Sequence, residues 1–215
     1  MNKARFEAFS DGVFAFAITL LVLGIVLPPF KDASPAEGAL AHALLALWPN
    51  VLAYGLSFAV IGIMWQNHHA LFRLVHTVDR TTVFLNFLLL GVVAFIPFAT
   101  STLGAYPRTR PATFLYGLTL TSSATAYNLL LAHLVRRGAF APEVAPSTIR
   151  QTIVAYRVGW ATYTTAMLVS LVAPVLSFAL YLLVAAYYVV PRGVDTDLAR
   201  STAPRDRGVP PGAGA

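Results

Sequence analysis

The chain has 215 residues, 57% hydrophobic and only 11% charged, and its mean hydropathy is +0.68. Soluble domains carry roughly 25% charged residues, so this composition argues against a water-soluble enzyme and against a disordered chain. With no cysteine, disulfides and thiolate metal sites are excluded. The formal net charge of +6 points to the cytoplasmic side of a membrane rather than to nucleic acid.

A helix that crosses the hydrocarbon core needs about 20 mostly apolar residues. Six stretches qualify, over residues 9–27, 51–72, 82–103, 112–134, 153–172 and 175–190. The first ends at Pro28-Pro29. It reads as a retained span rather than a cleavable signal peptide, because Asp11 opens it and no small-residue cleavage site follows. Residues 39–48, broken at Pro49, read as a short interfacial helix before the second span. The fourth span follows Pro111, a favourable position for a helix start.

The apolar block 153–190 is too long for one crossing, and Ala173-Pro174 lies near its middle. Proline breaks the hydrogen-bond ladder and disfavours helix at the residue before it. A tight hairpin is expected there; one kinked helix is the alternative. Continuous apolar runs exclude the alternating pattern of a β-barrel. The fold class is therefore all-α integral membrane with six transmembrane helices.

Six spans put both termini on one side. The connections on that side, with the termini, carry Lys3, Arg5, Arg73, Arg80, Arg136, Arg137, Arg150, Arg192, Arg200, Arg205 and Arg207. The opposite connections carry only Lys31, Arg108 and Arg110. This asymmetry predicts both termini in the cytoplasm and a multi-pass protein of the cell membrane. Residues 1–191 form one membrane domain. Residues 192–215, rich in Pro, Gly and Ala, read as a disordered cytoplasmic tail.

Ionisable residues within spans point to function. Ser10 and Asp11 either cap the first helix or join a buried network. Trp65, Asn67, His68 and His69 lie near the corresponding end of the second span, with Trp65 and His69 four apart on one face. A clamp of Ser10 and Asp11 with these groups satisfies donors that are costly to leave unpaired. Adjacent His68 and His69 with no nearby glutamate argue against a metal site. Arg157, after Tyr156, reads as a snorkelling cation. Asn86, Asn128 and His133 read as isolated interhelical hydrogen-bonding groups.

No P-loop, G-x-S-x-G or H-E-x-x-H motif is present. Nor is there a T-V-G-Y-G filter or the arginine repeat of a voltage sensor.

The segment Arg5-x-x-x-Phe9-Ser10-Asp11-Gly12-Val13-Phe14 resembles the first helix of the transmembrane protein 175 potassium channel family, with its R-x-x-x-F-S-D motif matched in full. Trp65-x-Asn67-His68-His69-x-Leu71-Phe72 and Ser177-Phe178-Ala179-Leu180-Tyr181-Leu182-Leu183 are similar to the family too. The resemblance implies a single six-helix repeat that assembles as a homotetramer, with helix one of each subunit lining a pore and no carbonyl filter. It implies that Phe16, Leu20 and Leu23 form the pore constriction, with Thr19 beside it. Arg5, Ser10, Asp11, Trp65, Asn67, His68 and His69 are then a structural polar network.

At 100° per residue, Phe16, Leu20 and Leu23 share one narrow stripe, and Asp11 points about 140° away. Periodicity alone also fits ordinary packing or lipid-facing residues. Phe16 departs from the isoleucine common in the family; four phenyl rings would block the axis or attract cations with their faces.

The implied function is a potassium-permeable channel with no cofactor beyond the permeant potassium ion. Its partners are itself, membrane lipid and potassium ions, with no nucleic acid. Weakly selective cation or proton permeation is the near alternative. A secondary transporter needs a midplane coupling site and repeat symmetry, which the sequence lacks. An intramembrane enzyme built on His68, His69 and Asp11 lacks a nucleophile motif.

Overall fold

The computed structural model describes residues 3–30 and 36–189. Its helices are α1 (Lys3–Leu20), α2 (Glu37–Ala46), α3 (Trp48–Leu74), α4 (Arg80–Ala105), α5 (Arg110–Arg137), α6 (Pro146–Val169) and α7 (Pro174–Val189). A 3₁₀ turn over Leu21–Gly24 extends α1. The proposed tail, 192–215, and Lys31 lie outside the described residues.

α1 starts about two turns earlier than its apolar run, so Arg5 is helical. α3 likewise starts before Pro49, which occupies its first turn. A proline in the first turn removes only an N–H that has no intrahelical partner, so Pro49 opens α3 rather than interrupting the chain before it. At the other end, α6 stops at Val169 and α7 begins at Pro174. The Ser177 hydroxyl donates to the Ala166 carbonyl at 2.6 Å. That bond folds α7 back on α6, so the block is a helical hairpin and not one kinked helix.

Among the described residues three helices, Lys3–Gly24 with its 3₁₀ turn, Trp48–Leu74 and Arg80–Ala105, are long and apolar enough to cross a membrane by length and composition. α5 and α6 are as long but less apolar, because they are rich in threonine and serine. Many of those hydroxyls donate to a carbonyl one turn back in their own helix, as Thr113, Thr119, Ser123 and Thr165 do. A hydroxyl bonded in this way is satisfied without water. Averaged hydropathy therefore understates how well α5 fits an apolar setting.

The core lies where α3, α4 and α5 meet. Ile61, Leu89, Val93, Ile96, Leu103, Tyr116, Leu120 and Leu130 are fully buried there. A polar chain crosses it: the Thr100 hydroxyl lies 2.7 Å from Ser57 Oγ, which lies 3.0 Å from the Tyr116 hydroxyl. α5 and α7 approach closely at Gly117, where a Cβ would stand 2.0 Å from the Tyr181 hydroxyl and 3.0 Å from the Met167 backbone.

One end of the bundle is tied by its connections. Val75 and Phe140 form an isolated antiparallel bridge, with His76 donating to the Ala139 carbonyl and Ala141 to the Leu74 carbonyl, each at 2.9 Å. Lys3 reaches the same place, donating to the Val75 carbonyl at 2.7 Å. The N-terminus of α1, the α3–α4 connection and the α5–α6 connection therefore meet at one end. Arg73, Arg80, Arg136, Arg137 and Arg150 belong to that end by sequence, whereas Arg108, in the α4–α5 connection, and Arg110, which opens α5, belong to the other.

Candidate functional site

α1 has two faces that differ in burial. Phe6, Ser10, Phe14, Ala17 and Leu21 are buried. Their spacing of three or four residues makes one helical stripe, and it packs against α3 and α4. The opposite side carries Phe9, Gly12, Phe16, Thr19 and Leu23, all exposed, with Leu20 half-buried. Phe16 is 65% exposed and Leu23 69%. The Thr19 hydroxyl donates to the Phe16 carbonyl at 2.8 Å, so its donor turns back to the helix.

The 3₁₀ turn changes the geometry assumed for a continuous α-helix. Leu20 caps it, and in 3₁₀ geometry residues three apart eclipse. Leu23 therefore sits above Leu20 rather than to one side of it.

The polar groups near the Lys3 end of α1 form two separate arrangements rather than one clamp. On the surface, the Trp65 indole N–H donates to Asp11 Oδ1 at 2.8 Å, linking α3 to α1. Trp65 stacks on His69, ring centroids 6.1 Å apart. In the interior, three helices meet. His68 Nε2 donates to Asn86 Oδ1 at 2.8 Å, Asn86 Nδ2 donates to Ser10 Oγ at 3.0 Å, and Ser10 Oγ donates to the Phe6 carbonyl at 3.0 Å. All three side chains are buried. The chain of donors fixes the His68 tautomer with its proton on Nε2. Phe72, Phe14 and Phe6 surround the imidazole at centroid distances of 4.6, 5.4 and 6.4 Å.

Three expected members stand apart. Arg5, Asn67 and His69 are exposed. Among the described residues, Arg5 makes no hydrogen bond or ion pair. Asn67 contributes its backbone carbonyl, which accepts from the Tyr156 hydroxyl at 3.2 Å. His69 meets Trp65 by ring contact alone. Conversely, Asn86 is the hub of the buried chain rather than an isolated polar group. The sequence pairs Ser10 with the second span by motif, but a lone asparagine on the next span carries no signal that it reaches both.

A second cluster had a local signal that the sequence reading passed over. Asp79 precedes α4 and Thr82 follows three residues later, the spacing of an N-cap. Asp79 Oδ1 accepts from the Thr82 N–H at 2.9 Å and from its hydroxyl at 2.5 Å. His133 approaches at 3.1 Å and Arg137 at 2.5 Å, tying the end of α5 to the start of α4. The Thr82 hydroxyl, then its N–H, His133 and Arg137, outweigh desolvation and hold the Asp79 carboxyl well below the usual carboxylate range. Asn128 also joins helices, its Nδ2 donating to the Tyr156 carbonyl at 3.1 Å. Among the described residues, no group of three or more His, Asp or Glu is placed to hold a metal ion.

A family model described as endosomal/lysosomal potassium channel TMEM175 matches residues 5–97, from α1 into α4. A potassium channel of Streptomyces collinus is 43% identical over 194 residues, covering 87% of this chain and 92% of that protein. The chain belongs to the TMEM175 family. A potassium channel of Chamaesiphon minutus is 38% identical over 191 residues, covering 87% and 93% of the two chains. The solved structure of a lysosomal potassium-selective channel TMEM175 homolog from that organism superposes with a TM-score of 0.75 at 36% identity, over 94% of this chain and 98% of that one. The mouse endosomal/lysosomal proton channel TMEM175 is 42% identical over 112 residues, half of this chain but 22% of the mouse protein. TMEM175 membership and the apolar helices make this a membrane protein whose relatives are ion channels.

Proposed function

We propose that the chain is a potassium-permeable cation channel of the cell membrane, working as a homotetramer of six-span subunits with both termini in the cytoplasm. α1 of each subunit lines the axis. Phe16, Leu20 and Leu23 form an apolar constriction, with Thr19 beside it, and no carbonyl filter or cofactor takes part. The permeant potassium ion is the only ligand.

The observation that carries this proposal is the uncovered face of α1. A helix whose other side is packed into the core leaves Phe16 and Leu23 outermost. Alongside them, Ala8, Phe9, Gly12, Val13, Phe16, Ala17, Leu20 and Ala94 line a trough of about 540 Å³, room for a neighbouring subunit. An apolar neck of this kind gates by wetting: water and ions enter together or not at all. Asp11, held by Trp65, stays to the side of the conduit. The names of the bacterial relatives support potassium as the ion; the mouse relative's name makes protons the permeant species to measure beside it.

The absence of cysteine provides a clean background for the decisive experiment. In membranes, Leu23→Cys is expected to form oxidant-induced intersubunit dimers, because copies around an axis bring these side chains within disulfide reach. Ala99→Cys, buried in the core of the subunit, is expected to form none. Proteoliposomes should pass potassium down its gradient without a coupling ion. Cross-linking at Ala99 but not Leu23, or flux that saturates and needs a second gradient, overturns the proposal.

A further inference from the structure

α5 and α6 run antiparallel, held by the Asn128–Tyr156 bond and by the Trp160 indole N–H, which donates to Thr125 Oγ1 at 3.0 Å. Between them lies an open trough of about 770 Å³. Its walls are apolar, with Leu129, Val135 and Ile153 among them, and it carries two cations, Arg136 and Arg157. Among the described residues, no acidic residue lines it. Among the described residues neither guanidinium has a carboxylate partner; the ion pairs there involve Lys3, His133 and Arg137.

We propose that this trough seats one anionic phospholipid, its phosphate between Arg136 and Arg157 and an acyl chain along the apolar wall toward Trp160. The direction of the side chains favours it. Cα–Cβ bonds lean toward the N-terminus of their own helix. In an antiparallel pair, Arg136 near the end of α5 leans inward along the bundle, and Arg157 in α6 leans back toward the Arg136 end. The two side chains therefore lean toward one another along the trough.

Length agrees as well. Thr125 to Arg136 along α5 spans about 16 Å, which is half of a hydrocarbon core about 30 Å thick. The trough is one leaflet deep. On the orientation proposed above, that leaflet is the cytoplasmic one, whose anionic lipids are drawn to basic pockets between helices.

A second copy of the chain is a poorer occupant. The acids on α1, Glu7 and Asp11, are engaged with Lys3 and Trp65, and α3 to α7 carry none within their helices. An arginine at membrane depth without a protein counter-ion is costly, and a lipid phosphate supplies the missing charge with bidentate geometry.

The test uses the full chain in phosphatidylcholine vesicles containing a minor fraction of bromine-labelled phosphatidylglycerol, or the same fraction of bromine-labelled phosphatidylcholine. Quenching of Trp160 is the part of the fluorescence loss that disappears in Trp160→Phe. The expected result is a preference for phosphatidylglycerol of about fivefold or more, abolished in the Arg136→Gln/Arg157→Gln double variant. Equal quenching by the two lipids overturns the proposal, as does a preference that survives the double variant. Quenching by neither lipid means that another subunit covers the trough, and overturns it too. Competition by soluble glycerol phosphate marks a free-anion site instead and also overturns it. The readout is binding alone, so its failure is separate from any failure of the channel proposal.

Discussion

Leu23 stands one 3₁₀ turn above Leu20, because the helical ladder tightens over Leu21–Gly24 and residues three apart then eclipse. In the tetramer proposed above these two positions would make two stacked apolar rings rather than a spiral of staggered side chains, and two rings in series would set a longer dry segment than either alone.

Leu20→Asn and Leu23→Asn are each expected to raise potassium flux several-fold and to narrow the difference between potassium and sodium, since an amide in the neck holds water that leucine excludes. Ion flux from proteoliposomes with substituted cations measures both. Unchanged permeation in both variants contradicts the neck.

The buried chain and the surface bond near the Lys3 end of α1 should differ in worth. Asn86→Ala strips the His68 donor of its acceptor and Ser10 of its incoming donor, costing about 1–3 kcal/mol. Trp65→Phe removes a bond at a half-open site, where Trp65 is 40% exposed, and should cost about 1 kcal/mol or less. Thermal loss of the assembled species, followed by size-exclusion chromatography, orders the two. Equal or reversed loss contradicts the buried chain as the stronger anchor.

Asp79 links stability to pH. Its carboxyl ionises more readily folded than unfolded, so its contribution is complete above the unfolded value of about 4 and fades as pH falls from there toward the lower folded value. Asp79→Asn keeps a competent helix cap but loses the carboxylate charge that faces Arg137 and His133, and should lower stability by about 1 kcal/mol at neutral pH. The gap between wild type and variant should stay constant down to about pH 4 and close below it. Melting curves across that range test this; a gap that widens in acid is the contrary result.

Gly117→Ala is expected to separate α5 from α7 and α6. The new methyl would meet the Tyr181 hydroxyl at 2.0 Å and the Met167 backbone at 3.0 Å, and only the tyrosine tip can swing away. The cost should be about 1–3 kcal/mol. Tyr181→Phe removes the obstructing oxygen and should recover part of it. Full stability of the single variant in a melting assay contradicts this close approach.

Much of the helical plan was legible because long apolar runs and prolines mark helices and their ends one stretch at a time. Pro174 and Pro49 both mark a helix start, one where the sequence places a hairpin and the other where it suggests an interruption. Pro97 lies within α4, and there the surrounding apolar run was the better guide. The polar site was less legible. Asp11 and Trp65 are each flagged by a motif, but Asn86 stands alone in an apolar run, and its two partners are separated from it by 76 and 18 residues. The same holds for Asp79, whose Thr82 is local while His133 and Arg137 are not. The tightening at Leu21–Gly24 had no mark at all, since leucine and valine favour neither helix pitch.

The Ser10–Asn86 bond also acts as a key that indexes α1 about its own axis. Ser10 can meet Asn86 in one angular setting only, and each residue along an α-helix turns the surface by about 100°. A single residue inserted between Asp11 and Phe16 would leave the key seated while swinging every outer side chain beyond it by that angle. The aim of the outer face is thus set at Ser10, about a turn and a half before Phe16 is reached, and the length of the stretch between them matters as much as its hydrophobicity.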